Sequence, residues 1–232
     1  FPHLTYDYQD RFFSGVIDEF VETYAKGETP VPCIDCNQTV KFKDLLQEAK
    51  KINADTLVTG HYARRVESSN RVKLFKAKDS KKDQSYFLFA TLIEQLNYLR
   101  FPLGDYLKSE IRDIAKKLNL SVKDKPDSQD ICFVTSSSYR DLIDKLRPDL
   151  NVNGNFLNME EKIIGRHNGI ANYTVGQRKG LGLGGLKNPL YVIKINKDNN
   201  TVYLGEKKDL KKSIIHLRDV NWLDNSFNKS NI

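Results

Sequence analysis

The first half of the chain alternates between stretches of helical periodicity and short apolar runs. Apolar side chains recur every three or four positions over residues 9–26, with Gly27 at the expected C-cap, and again over residues 40–52. Residues 55–60 form a short apolar run that ends in Gly60 and is followed by His61. A buried strand with glycine at its carboxyl end, between helices, is typical of a doubly wound α/β domain, which binds ligands at that edge.

The pattern predicts further elements up to about residue 148. Residues 63–66 and 72–77 are predicted strands around a turn at 68–70, and residues 131–134 are a predicted short strand. Helices are predicted over residues 86–99, over a segment capped by Ser109, and over residues 139–146.

The pattern changes at about residue 150. Long helical periods give way to Gly, Asn and short strands at residues 156–157, 162–164, 190–195 and 201–204, with a hairpin turn at 198–200. Residues 213–224 are predicted to open a further β segment. We therefore expect domains at residues 1–148 and 149–212, with residues 213–232 starting a third.

Composition indicates an ordinary folded protein with a basic surface. The chain has 232 residues, 39% hydrophobic and 29% charged, with a net charge of +7. No apolar run approaches the roughly 18 residues that a membrane span needs, so no membrane is expected as a partner. Three sparse cysteines predict a reducing, cytoplasmic location. The positive charge permits a nucleic acid or an acidic lipid as partner, although many basic proteins are simply basic.

Two of the cysteines, Cys33 and Cys36, form a C-x-x-C pair inside the segment 29–42. Its prolines predict that this segment is not regular helix. From spacing alone the pair has four interpretations: a redox dithiol, half of a zinc site, a coincidence, or a single catalytic thiol. The third cysteine, Cys132, lies in an apolar run and is expected to be a buried small hydrophobe.

Two polar segments invite a phosphate interpretation. Residues 180–185 match G-x-G-x-x-G, but a strand rather than a helix follows, so we reject a dinucleotide site. Two interpretations remain for this segment, a loop near a phosphate backbone and a plain β-domain loop.

Residues 71–82 are strongly basic, which usually means a solvated face. Lys82-Asp83-Gln84 opens a predicted helix, where backbone amides and lysine suit phosphate while Asp and Gln suit base or sugar edges.

Several of these blocks together resemble the tRNA-specific 2-thiouridylase MnmA (TrmU) family. They are T-P-V-P-C-I-D-C-N-Q-T-V-K-F at 29–42, T-G-H-Y at 59–62, K-D-Q-S-Y-F at 82–87, D-S-Q-D-I-C-F at 127–133 and G-R-H-N-G-I-A-N-Y-T-V-G-Q-R-K-G-L-G at 165–182. They occur in the family's order over nearly the whole chain.

The resemblance implies an α/β domain of the adenine-nucleotide alpha-hydrolase-like (PP-loop ATPase) type, N-terminally truncated, followed by a small β domain. It implies transfer of sulfur to C2 of the wobble uridine of tRNA, with ATP and Mg²⁺ as cofactors and no tightly bound metal. The partners would be tRNA and a sulfur-relay or cysteine-desulfurase donor protein. Two thiols suit this chemistry, because one carries a persulfide and the other attacks or resolves a disulfide.

Site residues carry over motif by motif. Cys36 would be the nucleophile, Cys132 the persulfide carrier, and Gly60 an ATP contact. The remaining matches would contact the target base (Val31, Pro32, Cys33) or the rest of the tRNA (His61, Lys82, Asp83, Gln84). Val31 stands where the family usually has Asn.

The chain departs from the family at both ends. It contains no S-G-G-V-D-S-S phosphate loop, and only the start of the family's C-terminal β-barrel is expected in residues 213–232. The resemblance therefore predicts a fragment of a working enzyme. The alternatives are a catalytically incomplete tRNA-binding remnant and a zinc-bound module built on Cys33.

Overall fold

The structure, a computed structural model, describes residues 2–68, 71–126, 131–134, 138–184 and 188–223. These residues divide into two compact units. The first contains the described residues of Phe1–Gly15, Cys33–Ser128 and Leu217–Ile232, and the second those of Val16–Pro32 and Gln129–His216. Among them, no helix combines the length and apolar character needed to cross a membrane.

The predicted N-terminal helix is confirmed. It runs as α1 (Gln9–Phe12), a π-helical turn (Phe13–Ile17) and α2 (Asp18–Ala25). Gly27 follows with φ +74°, its N–H donates to the carbonyl of Tyr24, and the N–H of the next residue reaches Thr23. This pair of hydrogen bonds is the Schellman arrangement, which glycine favours because it has no Cβ.

The prediction that segment 29–42 is not regular helix holds for residues 29–31 but is wrong from Pro32 onward. The short helix α3 (Pro32–Cys36) is followed by a π-helix (Asn37–Leu45) and by α4 (Leu46–Lys51). Proline at the first position of a helix loses no hydrogen bond, because that N–H has no partner inside the helix, and its fixed φ suits the helix.

Two small sheets form the frame of the first unit. The predicted strand before Gly60 is confirmed as β1 (Leu57–Val58), which pairs in parallel with β4 (Leu99–Arg100). The strands β2 (Ala63–Ser68) and β3 (Arg71–Lys76) form an antiparallel pair, as predicted; residues 69 and 70 of the expected turn lie outside the described residues. The core beneath these sheets consists of Phe42, Ala63, Val72, Leu88, Leu96, Leu99 and Phe101.

The helix predicted over residues 86–99 is only partly formed. A 3₁₀ turn (Ser85–Leu88) precedes the short helix α5 (Ile93–Tyr98). The next helix, α6 (Lys108–Lys117), has Leu107 rather than the predicted Ser109 at its N-cap. The carboxylate of Glu110 accepts the Leu107 N–H at 2.5 Å, so a glutamate one turn into the helix does the capping expected of serine.

A four-stranded sheet forms the second unit, in the order β6-β5-β8-β7. All four predicted strands are confirmed: β5 (Gly154–Leu157), β6 (Ile163–His167), β7 (Tyr191–Asn196) and β8 (Thr201–Gly205). Strands β5 and β8 are parallel, and the other pairs are antiparallel. The sheet buries Phe156, Ile170, Tyr173, Leu181, Val192, Val202 and Leu204.

Helices complete the second unit. The predicted helix at 139–146 is confirmed as α7 (Tyr139–Leu146), and Ile143 on it packs with Phe20 and Tyr24 of α2. Short 3₁₀ turns lie at Pro148–Leu150, Ile170–Asn172 and Lys207–Leu210.

Two strand predictions are wrong. Residues 131–134 form a turn closed by a hydrogen bond from the Val134 N–H to the Ile131 carbonyl. The described part of segment 213–224, residues 213–223, contains no strand. Both runs are apolar, but a strand also requires a neighbour to receive its backbone hydrogen bonds, which a local pattern does not supply.

Candidate functional site

Cys36 lies at the C-terminal end of α3, half-buried, while Cys33 on the same short helix is exposed. Directly after Cys36, the side chain of Asn37 is buried and its Nδ2 donates to the carbonyl of Phe87 at 3.1 Å. Asn37 begins the π-helix, a rare conformation that is frequently found at functional sites. The cysteine block is thus hydrogen-bonded to the K-D-Q-S-Y-F block, 50 residues away in sequence.

His61 lies just beyond the carboxyl end of β1, as predicted. Its ring contacts the edges of Phe42 and Phe101, with centroids 5.9 and 6.1 Å away, and its Nδ1 lies 2.8 Å from Oγ1 of Thr59. Burial lowers the pKa of His61 to about 4, and the positive charge of Lys41 acts in the same direction. The imidazole is therefore neutral at pH 7, and it serves as a hydrogen-bonding group rather than as a cation.

The segment Lys82-Asp83-Gln84 is tied to the T-G-H-Y block. Gln84 and Tyr62 exchange two hydrogen bonds: the Gln84 N–H donates to the Tyr62 carbonyl at 2.8 Å, and the Tyr62 N–H donates to the Gln84 side-chain oxygen at 2.9 Å. This exchange fixes Lys82 and its neighbours beside the carboxyl end of β1.

Asp83 holds the backbone around it in place through hydrogen bonds. Its carboxylate accepts the Ala77 N–H at 2.8 Å and the Ser85 hydroxyl at 2.7 Å. Burial works to raise the pKa of Asp83, but these hydrogen bonds outweigh it, and the pKa is lowered. Asp83 thus holds the loop between β3 and the 3₁₀ turn, so its expected contact with a base or sugar remains a prediction.

A cavity of about 420 Å³ opens where these blocks meet. Its wall is apolar at Leu45, Leu57 and Val58 and polar at Lys41, Thr59, Gly60, His61 and Gln84. Small-molecule sites commonly have such volumes and such a mixture of apolar walls with a few polar groups. The residues therefore fit the nucleoside part of ATP, whereas the chain contains no glycine-rich loop of the S-G-G-V-D-S-S type for its phosphates.

The remaining predicted site residues lie in the second unit. Cys132 is in the turn at residues 131–134 and is exposed, so the expectation of a buried hydrophobe is wrong. Residues 127–130 of its motif lie outside the described residues. Val31 is half-buried and Pro32 is buried.

The first unit thus contains Cys33, Cys36, Gly60, His61 and the Lys82–Gln84 segment, while Cys132, Val31 and Pro32 belong to the second.

None of the three cysteines is in a disulfide. The part of the chain that the structure describes contains no group of three His, Cys, Asp or Glu side chains placed to hold a metal ion. In the glycine loop, Gly180 and Gly182 have positive φ, of +73° and +68°, and the next strand is β7. This agrees with the rejection of a dinucleotide site, although Gly185 lies outside the described residues.

Sequence reasoning missed three residues of the site: Lys41, Thr59 and Tyr62. All three lie within recognised motifs, but adjacent residues in those motifs carried the stronger chemical signal. A threonine two residues before a histidine at a strand end was the available signal for the Thr59–His61 contact. Neither the charge of Lys41 near His61 nor the burial of Tyr62 could be found without the fold.

Two family models match consecutive parts of the chain. The tRNA methyl transferase HUP domain matches residues 1–136, and the tRNA methyl transferase PRC-barrel domain matches residues 140–206. The first is an α/β domain of the PP-loop ATPase-like class and the second a small β domain, so the predicted fold class is confirmed.

Curated relatives extend the match over almost the whole chain. The tRNA-specific 2-thiouridylase MnmA of Ehrlichia canis (strain Jake) is 52% identical over 96% of this chain and 60% of its own length. The proteins of the same name from Wolbachia sp. subsp. Drosophila simulans (strain wRi) and Bradyrhizobium diazoefficiens are 53% and 52% identical, over 60% and 56% of their lengths. The chain spans about 60% of the length of these relatives. It belongs to the family of the tRNA methyl transferase HUP and PRC-barrel domains, in which these tRNA-specific 2-thiouridylases are found.

Proposed function

We propose that this chain carries the thiol chemistry of an ATP-dependent enzyme that replaces the C2 oxygen of the wobble uridine of tRNA with sulfur. The observation that carries the proposal is the convergence of the cysteine, T-G-H-Y and K-D-Q blocks around one cavity, joined by the Asn37–Phe87 and Gln84–Tyr62 hydrogen bonds. The names of the relatives support the reaction, and the place of action would be the cytoplasm, where tRNA is found.

The proposed chemistry uses the two thiols in sequence. Cys132, which is exposed, receives sulfur from a donor protein as a persulfide. Its terminal sulfur attacks C2 of the activated uridine, and the C2 oxygen leaves. The thiolate of Cys36 then attacks Sγ of Cys132, so the bond to the transferred sulfur breaks and its electrons stay on the 2-thiouridine. A transient Cys36–Cys132 disulfide results, and a thiol reductant returns both cysteines to thiols.

Other residues would bind and orient. ATP, with Mg²⁺, would supply the adenylyl group that makes the C2 oxygen a leaving group, with its nucleoside held at Gly60. Because it is neutral, His61 donates or accepts a hydrogen bond toward the tRNA without adding charge. Lys82 supplies a cation for the phosphate backbone, and Cys33 with Val31 and Pro32 would lie beside the target base.

The direct test is 2-thiouridine formation on a tRNA, with ATP and a persulfide donor, followed by nucleoside mass spectrometry. It would be run on this chain and on the complete product of its reading frame. We expect Cys36→Ser and Cys132→Ser each to abolish thiolation while retaining the circular dichroism of the parent protein. Normal thiolation by both variants would refute the proposal.

The same assay separates the alternatives. A catalytically incomplete remnant would bind tRNA but form no 2-thiouridine with ATP in either protein. Mass spectrometry also distinguishes sulfur replacement from the addition of a methyl group, the reaction that the description of the family's domains mentions. A zinc-bound module would contain stoichiometric metal that is lost on mutating Cys33.

A further inference from the structure

A second cavity, of about 560 Å³, lies in the first unit. It shares Gly60 and Gln84 with the cavity of about 420 Å³ proposed to hold the nucleoside, which we call the nucleoside cavity. Its lining contains five cationic side chains from three segments: Lys82, Lys108, Arg112, Lys123 and Lys125. Among the described residues that line it, no carboxylate is present. We call it the basic cleft.

The periodicity of α6 explains why cations face the basic cleft. Lys108, Ile111, Arg112 and Ala115 all line it, and their spacing of three, four and seven residues defines one face of a helix. The acidic Glu110 lies off this face.

The carboxylates of Glu110 and Asp79 are engaged in hydrogen bonds and do not line the cleft. Glu110 accepts the Leu107 N–H and contacts Lys78 Nζ at 3.2 Å, and these hydrogen bonds lower its pKa. Asp79 accepts the backbone N–H of Lys108 at 3.0 Å, which lowers the pKa of Asp79 as well. Neither carboxylate is among the residues that line the cleft.

The wall of the cleft is fixed by specific contacts. Arg112 Nη2 donates to the carbonyl of Lys125 at 3.5 Å, which joins α6 to the loop that follows it. Within that loop, Lys123 Nζ donates to Oδ1 of Asn119 at 2.8 Å. The ammonium of Lys108 lies 5.1 Å from the ring centre of Tyr62.

Tyr62 adds an independent observation. Its side chain is only 6% exposed, and its buried hydroxyl has no hydrogen-bond partner among the described residues. A buried hydroxyl without a partner is costly, and a ligand with acceptor oxygens would satisfy it.

We infer that the basic cleft is a phosphate-binding site in which Lys108, Arg112 and Lys125 act together with Lys82. Phosphate oxygens match this lining because they carry negative charge and accept several hydrogen bonds each. The convergence of Lys and Arg donors from three segments on one cleft suits adjacent phosphodiesters, which points to a nucleic-acid backbone. The assignment of that backbone to tRNA rests on the proposed function. A nucleotide or pyrophosphate offers the same chemistry, and experiment distinguishes the two sources.

The test compares two double variants of α6 that remove the same charge. Lys108→Gln with Arg112→Gln changes the cleft face. Lys116→Gln with Lys117→Gln changes exposed lysines of the same helix that do not line the cleft. Binding of an anticodon stem-loop RNA to the whole 232-residue chain would be measured over a range of salt concentrations, and binding of inorganic pyrophosphate by calorimetry. Circular dichroism would check that both variants fold.

We expect the cleft variant to bind RNA at least tenfold more weakly than the control variant at the same salt. The slope of log affinity against log salt should fall in magnitude by about 1.4 to 1.8, the value for two lost phosphate contacts. If only pyrophosphate binding is lost, the site stands and its phosphate comes from a nucleotide. If the two variants bind both probes equally well, the inference is wrong.

Thiolation is not needed for this measurement, so the two proposals fail separately. If RNA binds through the cleft but neither this chain nor the complete product of its reading frame forms 2-thiouridine, only the proposed function is refuted. A cleft variant that binds and thiolates like its control would refute only the cleft.

Discussion

At the scale of single residues, packing and hydrogen bonds determine the charge states of the side chains around Gly60, more than residue type does. His61 is neutral because two aromatic rings and a nearby lysine surround it. Asp83 is held ionised by hydrogen bonds from Ala77 and Ser85. The side-chain amide of Asn37 donates a hydrogen bond to the carbonyl of Phe87. Because Asn37 is next to Cys36, this bond anchors the chain beside the proposed nucleophile.

The pKa of His61 leads to a prediction about stability. In the unfolded chain a histidine takes up its proton near pH 6.5, whereas in the folded protein it does so near pH 4. Between these values the unfolded state binds more protons, so the contribution of His61 is fully present above pH 6.5 and is lost as the pH falls toward 4. The loss reaches about 3 kcal/mol below both values.

Chemical denaturation at several pH values would measure this effect. We expect the free energy of unfolding of His61→Gln to fall less between pH 7 and pH 4 than that of the parent protein. His216→Gln, which removes an exposed histidine, is the control and should follow the parent. Parallel curves for the parent and His61→Gln would contradict the prediction.

At the scale of elements, the sequence correctly predicted those helices and strands whose signals lie in a local pattern of residues. Periodicity located α2, α7 and all four strands of the second unit, and Gly27 marked the helix end. The failures have two causes, the lack of a distant strand partner and the position of a proline within its helix. Residues 131–134 carry a strand-like composition but form a turn. Proline predicted a break at residue 32 but begins α3 there, because position within the helix decides its effect.

The junction between β2 and the loop before α6 shows how close packing depends on glycine. A Cβ added at Gly104 would lie 1.9 Å from the carbonyl oxygen of Ala63, the fully buried first residue of β2. A backbone atom cannot rotate away as a side chain can, so Gly104→Ala should force β2 from its place. We expect a loss of about 3 kcal/mol in the free energy of unfolding, at the upper end for overpacking.

Gly60→Ala provides the matched comparison in the same unit. Its added Cβ would meet only Leu103 Cδ1, at the ordinary contact distance of 3.7 Å. Its stability should equal or slightly exceed that of the parent, because alanine restricts the unfolded chain. Urea denaturation would measure the unfolding midpoints of both variants. Equal midpoints would show that the close approach of Gly104 to Ala63 does not limit stability.

At the scale of the whole molecule, the chain divides its motifs between two units. The cysteine block from Cys33 onward and the T-G-H-Y and K-D-Q blocks belong to the first, where all three contribute to the lining of the proposed nucleoside cavity. The T-G-H-Y and K-D-Q blocks also line part of the basic cleft. The second unit contains Cys132 and the small β-sheet. Motif order in the sequence predicted the family, but not which motifs touch, because residue spacing contains no information on hydrogen bonds 50 residues apart such as Asn37–Phe87.

This division predicts that sulfur loading and sulfur transfer can be separated by mutation. Loading requires a thiol that a donor protein can reach, and the thiol of Cys132 is exposed whereas that of Cys36 is half-buried. With a cysteine desulfurase and ³⁵S-cysteine, we expect label on the parent chain and on Cys36→Ser, but none on Cys132→Ser. Thiolation of tRNA should be absent from both variants, because Cys36 is needed to release the sulfur. Label that persists on Cys132→Ser and disappears from Cys36→Ser would reverse the two roles, and label that persists on both would exclude Cys132 as the carrier.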